Sequence, residues 1–526
     1  MAANYRRRSF AESVQAPVGG LNDRDSISIM PKSDAKQLEN AFPNTSSVDV
    51  RGGCVEYATG FGATGESLLG YNGIATAKMF AASNGSIYDI TSGGAIGAAV
   101  ASSMSNNRWD HVNFGGAAGN FLVAVNGANL PQFYNGSTWT ASGTGYATAI
   151  TGVSASSFSQ VNVWKNRLFF VEKDTLRCWY LGTQAIGGAA SSLDFAGVAK
   201  LGGKLIATAT VSSSAGQQLD DYFVAITSEG ECLVYQGTDP ASASTFALVG
   251  NYRIGRPIAN GLDNNGGRFL CRVSSQVIAI TIDGFVNLQD AVNSDVQTQR
   301  LMINDKIVNS VSKDTSLYKG NFGWQVVLMP IKNRVFINVP TTQGSSSRQW
   351  VMNTITGAWC KYTGWDATCF LYWQDNLYAF IGNKVYRMEV ESSNDFVSGS
   401  STGTSIKGEV ETAYQYFGGR NQQKSYKMVR TLFYGSANIQ PGVSVNVDFK
   451  SLQNPSVANV STSSGAKWGI AKWGVDKWGG GNIYSQYWRS VNGIGYCASL
   501  RMSLNCDSQI CQFQAWDIIY ERGGLM

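Results

Sequence analysis

Three features of this sequence have chemical reach: one histidine, nine cysteines and a threefold Lys-Trp-Gly repeat. Lys467-Trp468-Gly469 recurs as Lys472-Trp473-Gly474 and as Lys477-Trp478-Gly479, within residues 465–481. Lysine beside tryptophan suits nucleic acid, the ammonium for phosphate and the indole for an unstacked base. A spacing of five defeats both regular elements: on a strand Trp468 and Trp473 face opposite ways, and on a helix they lie about 140° apart. The glycine after each Trp marks a turn, so the stretch reads as short extended pieces, each anchored by an indole. Three uses of those anchors stay open: packing within the fold, contacts between subunits, and contact with DNA.

Catalytic constellations are harder to assemble. A Ser-His-Asp triad must use His111, which has no recognisable context and reads as an ordinary packed or surface residue. Gly136-Ser137-Thr138-Trp139 matches the second half of the S-x-D-x-G-x-x-W box of sialidase-like propellers, but Gln132 and Tyr134 stand where Ser and Asp belong. No phosphate-cradling or dinucleotide glycine loop occurs. No C-x-x-C pair exists; the closest cysteines, Cys506 and Cys511, fall on opposite faces if they share one strand. The cysteines therefore read as small buried hydrophobes in a reducing compartment. No catalytic, cofactor-binding or metal-ligating residue is assigned, no cofactor is expected, and the chain is expected not to be an enzyme. Arg6-Arg7-Arg8 is the one basic cluster, a candidate for docking on an acidic partner surface or a solvated terminus. Asp220-Asp221 reads as a solvated turn.

The elements that must carry these residues are strands. Charged residues make up only 15% of the 526, glycine is abundant and aromatics reach 12%, a mix that favours short strands and tight turns in two or three domains. A net charge of +5 is too weak over this length to argue for nucleic acid. No secretory signal or apolar run of membrane-spanning length is present. Residues 1–60 read as an N-terminal arm, a docking segment with one short helix over 31–42, where Leu38 and Phe42 lie four apart, Asp34 and Gln37 could form a capping box, and Pro43 ends the run. From 61 to 395 hairpins recur, seven in all, several turning on pairs such as Asn84-Gly85, Asn126-Gly127, Lys173-Asp174 and Gly382-Asn383. Hairpins at about 40–50-residue spacing predict a β-propeller. A Ser/Gly-rich linker at 392–408 leads to a second antiparallel β-sheet or sandwich domain over 404–526, which carries the 465–481 loop. The fold class is thus all-β, a propeller-like array of hairpins with an additional antiparallel domain.

Residues 16–60 carry a further signal. Gly19-Gly20-Leu21-Asn22, Met30-Pro31, Asp34-Ala35, Leu38-Glu39-Asn40, Phe42-Pro43 and Val50-Arg51-Gly52-Gly53 stand in an order that resembles the opening of tail nozzle (tail tubular or hub) proteins of short-tailed bacteriophages. Tandem Trp-Gly repeats near the C-terminus are similar to those of family members. The resemblance implies a structural virion protein, assembled in the host cytoplasm as a ring of six copies beneath the portal and adaptor. It also implies contacts with tail fibre or tail-tip proteins and a central conduit for genome ejection. In that setting Lys467, Trp468, Lys472, Trp473, Lys477 and Trp478 are candidates for lumen or subunit contacts, the lysines touching duplex DNA only transiently, while Arg6, Arg7 and Arg8 are candidates for adaptor docking. The alternative is a carbohydrate-binding or carbohydrate-active propeller of the tail.

Overall fold

In the computed structural model, described for residues 8–213, 220–242, 244–258, 266–273, 276–293, 302–436, 439–450, 455 and 483–525, the short apolar strands pair locally into successive antiparallel sheets. Blade one is Gly65–Asn72, Ala77–Ser83 and Ser86–Asp89. Its hairpin turns where expected: Asn84 (φ 49°) and Gly85 (φ 67°) are both left-handed, the geometry that matches the twist of a two-residue hairpin. Blades two to five begin at Asp110–Gly116, Phe158–Trp164, Leu205–Ser213 and Leu270–Val273. Blade six begins at Gln325–Met329 and blade seven at Ala367–Trp373.

The opening strands line an axis. Each packs beside the next, and Ala367–Trp373 packs back on Gly65–Asn72, closing the ring. Between blades four and five the contact runs through Gly266–Phe269 and Gln276–Ile280. Apolar faces stack from blade to blade; Trp164, Phe169, Phe223 and Phe246 form one such cluster between blades three and four. A small sheet exposes both faces and two edges when alone, so burial between neighbours makes each blade stable. The last blade is completed by a strand from far upstream: Gly53–Thr59 pairs antiparallel with Lys384–Val390. A bond between early and late chain fastens the ring.

The helix expected over 31–42 is absent. Asp34–Glu39 and Ala41–Pro43 are strands, separated by Asn40 in the left-handed region (φ 52°). Asp34–Glu39 pairs with Ile406–Thr412, with Gly20–Leu21, and through Glu39 with Lys361. An isolated helix of a dozen residues is marginal, and three neighbouring strands offer the same backbone groups better partners. Asp220-Asp221, expected in a turn, opens the strand Asp220–Thr227, where Asp221 accepts a hydrogen bond from Ser212 Oγ at 2.7 Å.

The remaining strands form a sandwich. One layer runs Ile483–Gly495, Gln422–Gly435, Cys511–Leu525, then Val48–Val50 and Ala41–Pro43; Ser9–Gln15 also pairs along Cys511–Leu525. The other layer is a continuation of blade six: beyond Trp359–Tyr362 come Asp34–Glu39, Ile406–Thr412, Ala498–Cys506 and Gly442–Val447, one nine-stranded sheet. Val410, Phe433, Leu500, Met502, Phe513 and Trp516 are buried in this core. Residues 9–15, expected in a docking arm, are therefore a strand of the sandwich. Two helices, Leu288–Asn293 and Val308–Tyr318, lie between blades five and six. Among the described residues no helix is long and apolar enough to cross a membrane.

Candidate functional site

The propeller axis encloses a cavity of about 960 Å³ lined by the opening strands. An innermost strand has one unpaired edge, and its N–H and C=O groups need partners. Side chains from neighbouring blades supply them. Gln160 Oε1 accepts from the Thr208 amide at 3.0 Å while its Nε2 donates to Thr208 O at 3.2 Å. Gln325 Nε2 donates to Phe370 O at 2.8 Å and its Oε1 accepts from the Phe370 amide at 2.7 Å. Asn113 Nδ2 donates to Gly70 O at 2.8 Å, and the Val161 amide donates to Asp110 Oδ2 at 3.0 Å. Amide side chains suit this task because each carries a donor and an acceptor spaced like a peptide group.

Gln325→Ala removes both partners of Phe370 at once. The expected cost is about 1–3 kcal/mol, read as a lower denaturant midpoint, with faster hydrogen exchange at the Phe370 amide as the local signature.

The charged members of the axis follow the same logic. Arg268 Nη2 donates to Glu66 O at 2.6 Å and Ser67 Oγ at 2.5 Å, tying blade five to blade one. Its guanidinium and that of Arg108 lie 4.9 and 4.1 Å from the Phe322 ring centre, and Arg108 pairs with Glu66 at 3.1 Å. Burial pushes the Asp110 carboxyl up to about 6, against the pull of the Val161 and Gly267 amides and of Arg268. Burial pushes His111 down to about 4, with Arg268 acting in the same direction. His111 accepts from the Gly70 amide through Nε2 at 3.4 Å, a role only the neutral ring can fill. Among the described residues no hydroxyl or thiol is seen hydrogen-bonded to the His111 ring. Among the described residues no cluster of three or more metal-ligating side chains occurs. All nine cysteines are free; burial pushes Cys54 and Cys232 up to about 12, which makes them unreactive.

A buried polar network lies where propeller meets sandwich. It joins residues of the 16–60 segment to partners at 306–395. Arg51 is fully engaged: Nε donates to Asn40 Oδ1 at 2.9 Å, Nη1 to Gly52 O at 3.1 Å and Asp395 Oδ1 at 2.8 Å, and Nη2 to Thr363 O at 3.0 Å and Asp395 Oδ2 at 2.6 Å. The Trp365 ring lies under it at 4.2 Å, and the indole N–H donates to Asp395 at 2.9 Å. Phe42 lies 4.0 Å from the Arg334 guanidinium, which pairs with buried Glu389 of blade seven. Asn22 donates to Asp34 at 2.8 Å, and Lys306 reaches Asp34 at 2.9 Å and Gly19 O at 3.1 Å. Sequence reading found this segment, Arg51 included, by its motif but placed it in a docking arm; Asp395 and Arg334 carried no local signal because their partners Arg51 and Glu389 lie 344 and 55 residues away.

Of the residues singled out from the sequence, Arg6, Arg7, Lys467, Trp468, Lys472, Trp473, Lys477 and Trp478 lie outside the described residues. Arg8 is exposed, its guanidinium 5.7 Å from the Phe10 ring. The strand Ile483–Gly495 forms one margin of the described sandwich and exposes Tyr484, Tyr487, Trp488 and Ile494. Across the sheet, Trp488 lies 5.0 Å from the Arg430 guanidinium, which donates to Asp517 Oδ2 at 2.7 Å.

A closed ring of blades fused to a sandwich is the class of protein that this strand pairing defines. No protein-family model matches the sequence, and no curated protein matches it. Among solved structures, BBS1N in complex with ARL6DN is 9% identical with a TM-score of 0.38, over 64% of this chain and 98% of that one. The Cps50 (Swd1) β-propeller domain of Myceliophteria thermophila is 10% identical with a TM-score of 0.38, over 63% and 98%. YCF48 bound to D1 peptide is 10% identical with a TM-score of 0.35, over 66% and 96%. At 9–10% identity and TM-scores of 0.35–0.38 these likenesses add nothing to the strand pairing.

Proposed function

We propose that this chain is a structural subunit of a short-tailed bacteriophage tail, a nozzle protein that forms a ring beneath the portal and adaptor and serves as a conduit for genome DNA. The observation that carries the reading is the seam: Asn22, Asp34, Asn40 and Arg51, the polar residues of the stretch that resembles the nozzle family, bond to one another and to Lys306, Thr363 and Asp395 where the propeller meets the sandwich. Such a seam suits a part that must hold shape under load. Two further features support it. The polar groups at the propeller axis serve as partners for strand edges, and the Ile483–Gly495 strand offers a long aromatic margin on which a neighbouring copy could pair. A ring of six, the number the family implies, needs one pair of complementary patches per subunit.

Purified chain, alone and with its adaptor ring, is to be imaged by negative stain. Closed six-fold rings, or rings formed on the adaptor, are expected. Monomers that never dock on the adaptor, or cleavage of host surface polysaccharide by the isolated chain, would overturn the proposal.

A further inference from the structure

The last two strands of the chain sit in different layers of the sandwich. Ala498–Cys506 belongs to the sheet that continues blade six, where Cys506 pairs with Ile406, and Cys511–Leu525 belongs to the opposite sheet, where Cys511 pairs with Gly435. The turn 507–510 carries the chain from one layer to the other. It therefore overrides the alternation that would send the two thiols to opposite faces of one strand. Their sulfurs lie 2.8 Å apart, closer than two non-bonded sulfur atoms rest. Both side chains are buried, at 2% exposure each.

We infer that Cys506 and Cys511 are a disulfide-forming pair, a modification site that staples the two layers of the sandwich at the corner where the chain crosses between them. The remainder of the corner is already fixed. Ser508 donates its amide to Asn394 Oδ1 at 2.7 Å, Asn394 Nδ2 donates to Asp507 at 2.5 Å, and the Ile510 amide donates to Ser436 Oγ at 3.1 Å. The two sulfurs thus need little movement to bond.

The oxidant is a small dissolved disulfide. One thiolate attacks it, breaking its S–S bond, forming a mixed disulfide and releasing one small thiol. The second thiolate attacks the mixed disulfide and releases the other small thiol. Two S–H bonds and one small S–S bond are lost, and one protein S–S bond and two small thiols are formed. The shared hydrogen bond and burial hold the Cys506 thiol well above its ordinary range, so oxidation is slow at neutral pH and speeds up in alkali.

The test uses the full chain, reduced, desalted and incubated folded with oxidised glutathione. It is then quenched in acid, alkylated and digested with trypsin without reduction. Residues 502–522 contain both cysteines in one peptide. The expected product is that peptide two hydrogens lighter and free of alkyl groups, with a melting temperature raised by about 2–4 °C over the reduced chain. Cys506→Ala and Cys511→Ala each abolish the light peptide and the redox-dependent shift in melting. Full alkylation of both cysteines after oxidation of the wild-type chain, glutathione retained on either one, or pairing with another of the cysteines would overturn the inference.

Discussion

Arg51→Ala is expected to destabilise the folded chain by about 3–5 kcal/mol, and Arg51→Lys by nearly as much. The arginine has five donors, and all five have acceptors in the seam. Its side chain and that of Asp395 are 1% and 9% exposed. Removing the guanidinium leaves a buried carboxylate without its counter-charge, which costs more than the pair contributes when intact. A lysine restores the charge but not the fork. It has three donors on one nitrogen, cannot span Asn40, Asp395 and Thr363 together, and loses the stacking on Trp365. The reading is the denaturant midpoint followed by tryptophan fluorescence. The paired change Arg51→Met with Asp395→Leu is expected to recover much of the loss, since no uncompensated charge then remains. A midpoint unmoved by Arg51→Ala would show that water, rather than the seam, solvates Asp395.

What could be read in advance follows from the range of the interactions. Hairpins are local. Asn84-Gly85 and Gly382-Asn383 fix turn and register within a dozen residues, so the propeller was legible from spacing alone. The strand that completes blade seven was not, because Gly53–Thr59 and Lys384–Val390 are joined only by tertiary pairing. The 31–42 segment failed for the same reason in the other direction: its local pattern favours a helix, and strands from residues 20, 361 and 406 onward outbid that preference. The helix Val308–Tyr318 has a sequence, VNSVSKDTSLY, rich in β-branched and cap-forming residues. It is held instead by Asp314, which accepts from the Trp350 indole at 2.9 Å, and by Thr315, which donates to Ile282 O at 2.7 Å. At the axis, nothing in the sequence around Gln160 and Gln325 marks them out. Their role exists only once the ring has closed and strand edges face one another.

The same axis gives an opposed pair of pH dependences that nearly cancel in the wild-type chain. Asp110 has a folded pKa of about 6, above its unfolded value of about 3.9. The folded state therefore binds the extra proton between these two values, and this group makes the chain more stable as pH falls through 6. His111 has a folded value of about 4, below its unfolded value of about 6.5. Here the unfolded state binds the extra proton, and stability is lost as pH falls from 6.5 toward 4. Between pH 4 and 6 the folded chain carries one proton on Asp110 and the unfolded chain one on His111, so the two slopes offset each other. Each variant should uncover the other. His111→Asn is expected to gain up to about 3 kcal/mol between pH 6.5 and 4 relative to wild type, and Asp110→Asn to lose up to about 3 kcal/mol over the same interval; both side chains are half-buried on the axial cavity, and the solvent that reaches them trims each figure. Denaturant midpoints at half-unit pH steps measure both. Profiles of the two variants that run parallel to wild type would mean that neither group is desolvated by the closed ring, and that the axis admits bulk water down to the level of Gly267.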